Sequence, residues 1–262
     1  MKKGRASGIF LTSRSVGLSL GSFIGGLTYE TAGMQQNFIG GILSSIAGIL
    51  VLLGLKEEND QNHDEPRSAI TASHRSLLTD RNLVPIYFID FLYSFGITIF
   101  SVLFSVYFVQ IGGSKTLLGI TNSAIYVIAT TISTPVGMLT DKIGTKPLLI
   151  FGNMCCSLLT GVLYLTNDPL ITAAIWAIPL HPYISIASMA LIAEHTDRDK
   201  RAAAMGLIIT SQSFARVIGA LLGGLLADFM TIRGIIPVSA SILFMGGLCA
   251  WRFVKQGRLQ AK

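Results

Sequence analysis

Four ionisable side chains fall well inside apolar runs of this sequence: Arg14, Asp90, His181 and Arg216. Holding such groups in an apolar stretch is costly, so they are candidates for carrying a proton, pairing with another charge or touching a ligand. Tyr87, Asp90, Ser94 and Ser101 recur at helical spacing and would form one polar stripe. His181 shares a helical face with Ser185 and Ser188, and Pro179 and Pro182 flank it with an expected kink. A carboxyl and an imidazole that both titrate in a partly dry cavity are suited to moving a proton. Gln212 and Ser213 lie one turn before Arg216. That trio suits an anionic or polar substrate, or an ion pair between Arg216 and Asp90. Each residue also has a plainer reading. His181 as a neutral imidazole bonded to a carbonyl, Asp90 as a carboxylate paired with Arg81, and both arginines as structural ion-pair partners stay open.

Other chemistries lack their residues. There is no H-E-x-x-H, no paired carboxylates within an apolar run and no Ser/His dyad, so an intramembrane enzyme is not expected. No Walker motif points to ATP. Cys155, Cys156 and Cys249 lie in apolar runs and read as packing residues, without zinc spacing or a disulfide framework. His63 and His74 stand in a polar stretch and read as solvated. No metal and no cofactor are expected.

The elements that must position these residues follow from composition. The 262 residues are 51% hydrophobic and 13% charged, with mean hydropathy +0.61. Soluble domains carry about a quarter charged residues, so much of this surface is expected to face the lipid bilayer. The net charge of +6 does not point to nucleic acid, because Lys and Arg sit in short loops rather than on an aromatic-rich face. A bilayer core needs about 20 apolar residues as helix. Eight segments qualify, near Arg5–Tyr29, Phe38–Leu55, Leu83–Val109, Leu117–Leu139, Pro147–Leu165, Leu170–Ala193, Ala202–Asp228 and Gly234–Val254. The basic N-terminus could open a secretory signal, but the stretch runs on past Arg14 with no A-x-A cleavage pattern. One long polar stretch, Lys56–Asn82, has linker composition. With eight spans, most Lys and Arg fall on the side of the termini and linker, and only Lys115 and Arg233 on the other. This asymmetry places both termini in the cytoplasm of a multi-pass inner or plasma membrane protein.

The chain also repeats itself. Shifted by 198 residues, the first span lies on the seventh without gaps. Thr12, Ser13 and Ser15 meet Thr210, Ser211 and Ser213. Gly21, Gly25, Gly26 and Leu27 meet Gly219, Gly223, Gly224 and Leu225, and Arg14 falls on Gln212. A span repeating after six helices implies two six-helix halves. The first half would then be represented by its last two helices, residues 1–55. The linker is 56–82, and the second half occupies 83–262 with a short cytoplasmic tail.

Within this frame Gly137-Met-Leu-Thr-Asp141-Lys142-Ile-Gly144-Thr-Lys146 resembles the signature loop of the major facilitator superfamily, G-x-L-a-D-r-x-G-r-k. Thr145 stands where a basic residue is usual. The loop falls between the second and third helices of the second half, where that family carries it. The resemblance implies an all-α membrane bundle, with these spans as helices five to twelve of a twelve-helix transporter. It also implies that Asp141 meets the N-terminal end of a helix in the opposite half, near Arg5–Gly8, as a latch. A solvated turn is the alternative. Gly17-Leu-Ser-Leu-Gly21-Ser-Phe-Ile-Gly25-Gly26 is similar to the g-x-x-x-G-P-x-x-G-G motif of drug–proton antiporters, with Ser22 in place of proline. Gly21 and Gly25, like Gly219 and Gly223, also form small-residue strips that let helices approach closely.

The function expected is secondary transport by alternating access, with proton-coupled efflux of a small amphipathic molecule leading. A sugar or organic-anion permease is the alternative, as is a chain inactive without four preceding helices. The partners expected are lipid, a small-molecule substrate, a proton or other coupling ion, and a separate chain supplying helices one to four.

Overall fold

The apolar runs become helices to within a few residues, one of them in two pieces. A computed structural model describes residues 3–53, 77–197 and 200–254, with side chains from residue 16 onward in the first helix. The linker residues 54–76 with His63 and His74, Arg198, the tail beyond Val254, and the side chains of Arg5 and Arg14 lie outside the described part. The helices are α1 (Lys3–Thr31), α2 (Met34–Leu53), α3 (Val84–Gln110), α4 (Lys115–Ile143), α5 (Thr145–Leu163), α6 (Pro169–Trp176), α7 (His181–His195), α8 (Arg201–Phe229) and α9 (Ile232–Phe253). Among the described residues, seven stretches are long and apolar enough to cross a bilayer, with α6 and α7 together forming one, Pro169–His195. The eighth expected span is α1. Its 29 residues suffice in length, but Arg14 and its many serines and glycines dilute its apolar character, and it is not among the seven.

Local chemistry sets the ends. The Ser114 hydroxyl accepts the Leu117 N–H and starts α4, and the Asp168 carboxylate accepts from Leu170 and Ile171 and starts α6. Between α6 and α7 the helix opens over residues 177–180, with Pro179 in the break and Pro182 on the first turn after it. His181 is therefore the first residue of α7 rather than a mid-helix residue at a kink. The signature segment also differs from expectation. Instead of a loop from Thr140 to Lys146, α4 continues to Ile143 and α5 begins at Thr145. One residue, Gly144, makes the whole turn at φ 96°, a conformation that glycine reaches without a Cβ clash.

Helix α3 is the axis of the larger group. It packs against α8 and α9 along most of its length and touches α7, while α9 also packs along α5, and α5 along α7. Small residues make the close crossings. A Cβ on Gly219 would stand 3.0 Å from the Phe95 carbonyl oxygen, and one on Gly223 would collide with the Ile99 backbone. Between helices, the Ser239 hydroxyl donates to the Gly96 carbonyl at 2.6 Å and the Ser157 hydroxyl to the Ala240 carbonyl at 2.7 Å. Interhelical bonds of this kind hold helices together where lipid supplies no hydrophobic drive. Helix α1 packs along α4, and α2 leans on α1. Every described side chain of α2 except Asn37 is exposed.

Candidate functional site

Asp90 sits on the second turn of α3, where α7 and α8 both approach. It is 1% exposed. Its Oδ1 accepts a hydrogen bond from Gln212 Nε2 at 2.9 Å. An ionised carboxylate only accepts, which fixes the Gln212 amide with its NH2 toward Asp90. The other oxygen, Oδ2, is buried without a partner. Ser188 of α7 faces the same carboxyl, yet its buried hydroxyl also lacks a bond of good geometry. The three expected residues Asp90, Gln212 and Ser188 thus come together from three helices.

Arg216 does not take the place that an ion pair with Asp90 would require. Gln212 occupies it, and Arg216 is exposed one turn further along α8, within electrostatic reach of Tyr93. Tyr87 is buried one turn before Asp90, its hydroxyl unpartnered and its carbonyl accepting from Ser211 at 3.3 Å.

One turn beyond Asp90, Tyr93 opens onto a cavity of about 240 Å³. Its walls come from α3, α4, α5, α6 and the α6–α7 break, and they are mainly apolar and aromatic, with Tyr93, Tyr126, Trp176, Thr160 and His181 among them. The His181 ring lies 6.1 Å from the Tyr93 ring, centroid to centroid. After the break, His181 opens α7 at the cavity wall. Trp176 stacks on Phe104 at 4.0 Å and meets Phe100 edge-on at 5.7 Å, so the aromatic end of the cavity is rigid. Tyr93, Tyr126 and Trp176 were not singled out in the sequence. Tyr126 and Trp176 carry no charge and sit in no polar stripe. The signal for Trp176 is an aromatic just before a proline-containing break; Tyr126, in the middle of α4, has none.

A second constellation lies between α1 and α4. Gly26 and Gly119 face each other so closely that a Cβ on either would stand 2.8 Å from the other's Cα. One turn or two away, the Ser123 hydroxyl donates to the Ser19 carbonyl at 2.7 Å and the Ser19 hydroxyl to the Ser123 carbonyl at 3.3 Å. At the end of the seam the Thr116 N–H donates to Glu30 at 2.6 Å, and the Lys115 ammonium stands 3.9 Å over the Tyr29 ring. Of the glycines expected to pack helices, Gly26, Gly219 and Gly223 do so. Gly17, Gly21 and Gly224 have open space where a Cβ would be, and Gly25 reaches only the Asn37 side chain.

The signature residues occupy the opposite end of α4. Gly137 is half-buried with open space at its Cβ position, and Asp141 and Lys142 are exposed on the last turn. The expected latch partner of Asp141, at Arg5–Gly8, falls among residues whose side chains are not described. Lys146 stands on the first turn of α5, beside Arg81 and Arg252.

An all-α bundle of apolar helices with a buried carboxyl and an aromatic cavity between them is a multi-pass membrane protein. The family model described as Major Facilitator Superfamily matches residues 1–180 and, overlapping them, 86–262, and the chain belongs to that family. It is 25% identical over 263 residues to the uncharacterized MFS-type transporter MJ1560 of Methanocaldococcus jannaschii, covering 95% of this chain. It is also 25% identical over 140 residues, 51% of this chain, to the multi-drug resistance efflux pump PmrA of Streptococcus pneumoniae. The chain spans 66% of the archaeal relative's length, and its match to the pump spans 34% of that protein.

Proposed function

We propose that this chain forms the transport path of a secondary transporter that exports a small amphipathic compound in exchange for protons. The observation that carries the reading is the adjacency of two things on α3. Asp90 is a buried carboxyl with one oxygen held by Gln212 and the other open toward Ser188. One turn away, Tyr93 lines a mainly apolar cavity. A proton on Oδ2 would turn that oxygen into a donor aimed at Ser188, which links the carboxyl to α7 and the His181 wall. Losing the proton leaves a charge in a dry site, which the bundle relieves by opening it to water. Aromatic walls with few polar groups suit an apolar body with a single polar or cationic end. The name of the streptococcal relative, a multi-drug resistance efflux pump, supports the same substrate class. By the distribution of Lys and Arg, the Arg81–Arg252 end is cytoplasmic.

The test is uptake of a fluorescent amphipathic cation into everted membrane vesicles from cells expressing the gene with its native flanking sequence. Wild-type uptake should follow an imposed pH gradient. Asp90→Asn should cut gradient-driven uptake at least tenfold while dye binding persists. Unchanged uptake with unchanged pH dependence removes Asp90 from coupling. A permease for a sugar or organic anion is the second reading, favoured by exposed Arg216 beside the same path. Competition by organic anions that is lost in Arg216→Gln would select it.

A further inference from the structure

The end of the bundle opposite Lys115 holds a cavity of about 650 Å³ that neither the proton path nor the substrate cavity uses. Three cations line it: Arg81 before α3, Lys146 on the first turn of α5 and Arg252 on the last turn of α9. His195, at the end of α7, is the fourth basic group, and no Asp or Glu is among the lining residues. Among the described residues none of the three cations has an ion pair or hydrogen bond. The nearest acid in sequence, Asp80, is engaged with the Asn82 N–H at 2.8 Å. The His195 Nδ1 lies 2.9 Å from the Leu191 carbonyl. A carbonyl only accepts, so Nδ1 carries the hydrogen and Nε2 is left to face a ligand.

The backbone adds to this charge. Helices α3 and α5 both begin here, and neither has a side-chain cap on its first turn. The first amides of α3 are already taken, Val84 N–H by the Asp80 carbonyl and Ile86 and Tyr87 N–H by the Leu83 carbonyl, so what the backbone offers an anion is the positive dipole end of each helix. The cavity is also placed for lipid. Trp251 and Phe253, on the last turn of α9, are 65% and 59% exposed, and aromatic side chains of this kind settle at the membrane–water boundary. Ile86 and Val254 supply an apolar wall below the cations.

We propose that this cavity binds a phosphate group, held by Arg81, Lys146 and Arg252, with the headgroup of an anionic phospholipid as its source in the membrane. Guanidinium forks at Arg81 and Arg252 match phosphate oxygens, Lys146 adds a point charge, and His195 Nε2 completes the ring. The site stands apart from any reading of the transported substrate.

Native mass spectrometry of the purified chain tests it, with phosphatidylglycerol, phosphatidylcholine and inorganic phosphate as separate additions. Phosphatidylglycerol should be retained preferentially over phosphatidylcholine. Each near-surface cation contributes roughly fivefold, so R81Q/K146Q/R252Q should weaken retention by about a hundredfold. R81K/R252K, which keeps the charge, should hold most of it. Competition by millimolar inorganic phosphate supports the phosphate site and assigns a soluble source instead of lipid. Equal retention of the two lipids, or unchanged retention in the triple variant, overturns the proposal. Should the triple variant lose its helical content by circular dichroism, R81Q alone decides. Arg81 is exposed and has no bond among the described residues, so its loss should cost about fivefold in binding without unfolding, and no change in binding overturns the site.

Discussion

Gly119→Ala tests whether α1 and α4 form a seam that opens as a unit. A Cβ at Gly119 would stand 2.8 Å from both the Gly26 Cα and the Ser22 carbonyl oxygen, whereas ordinary contact begins at 3.4 Å. Both obstacles are backbone, so no side chain can turn aside. The helices must part by about 0.6 Å, the difference between those two distances. That stretch carries the Ser19 hydroxyl, at 3.3 Å from the Ser123 carbonyl, beyond hydrogen-bond range, and it lengthens the Ser123–Ser19 and Thr116–Glu30 bonds from 2.7 and 2.6 Å. Overpacking of one methyl costs about 1–3 kcal/mol, and a lost interhelical bond in a membrane about 0.6 kcal/mol. A total near 2 kcal/mol changes the closed-to-open ratio of the seam by roughly 30-fold.

The assay is alkylation of a cysteine at Ser123 in a chain lacking Cys155, Cys156 and Cys249. Its rate reports the fraction of time the seam is open. Gly119→Ala should raise the rate by about one order of magnitude or more. Gly21→Ala is the control. It lies on α1 within the same glycine motif, but a Cβ there meets nothing within 4 Å, so the rate should match the parent. Equal rates in the two variants would refute the idea that the Gly26–Gly119 crossing sets the closure.

Three further outcomes are expected. Gln212→Leu strips the one bond from Asp90 and leaves both carboxylate oxygens buried and unpartnered, which should cost about 1–3 kcal/mol and lower the thermal midpoint in detergent. A midpoint equal to the parent's would mean that Gln212 does not satisfy the carboxyl. Gly223→Ala should cost about 1–3 kcal/mol by driving a methyl into the Ile99 backbone, whereas its neighbour Gly224→Ala, facing open space, should change stability by less than about 0.5 kcal/mol. Similar losses in both would contradict the rotation of α8. Glu30 lies beyond the span at the Lys115 end of the seam, and its hydrogen bonds with Thr116 hold its carboxyl below the ordinary range. A depressed carboxyl stabilises the closed seam above its unfolded-state pKa, and that contribution is lost as pH falls through the folded value. Divided by the rate of a freely exposed cysteine, whose thiolate fraction itself falls with pH, alkylation at Ser123 should therefore rise toward acid pH in the parent and show a flatter profile in Glu30→Gln. Superimposable profiles would exclude Glu30 as the titrating group.

What could be read in the sequence and what could not divide along a physical line. Hydrophobic runs and turn residues act over a few neighbours, so span positions match to within a few residues, and Asp90 of the α3 polar stripe is buried. The rotation of a helix about its own axis depends on its partner, and the repeat alone does not contain it. Gly25 and Gly26 are adjacent and align with Gly223 and Gly224, yet α1 uses Gly26 while α8 uses Gly223. The two repeats therefore present faces about 100° apart, one residue's turn, because α1 meets the glycine of α4 while α8 meets the carbonyls of α3. The same partner dependence leaves Gly119 unmarked in the sequence: a lone glycine in an apolar run has no signal until the helix opposite it is known. It also explains why Gln212, not the more conspicuous Arg216, reaches Asp90. On a helix the two are neighbours on one face, but only the residue facing the crossing point can enter a buried site. In that position a neutral amide satisfies a carboxyl without fixing its charge, which a guanidinium would do. A proton-carrying role for Asp90 requires that freedom, and Gln212→Arg should abolish it by locking the carboxylate in its ionised form. Gradient-driven dye uptake that survives this substitution would show that Asp90 need not change its protonation state during the cycle.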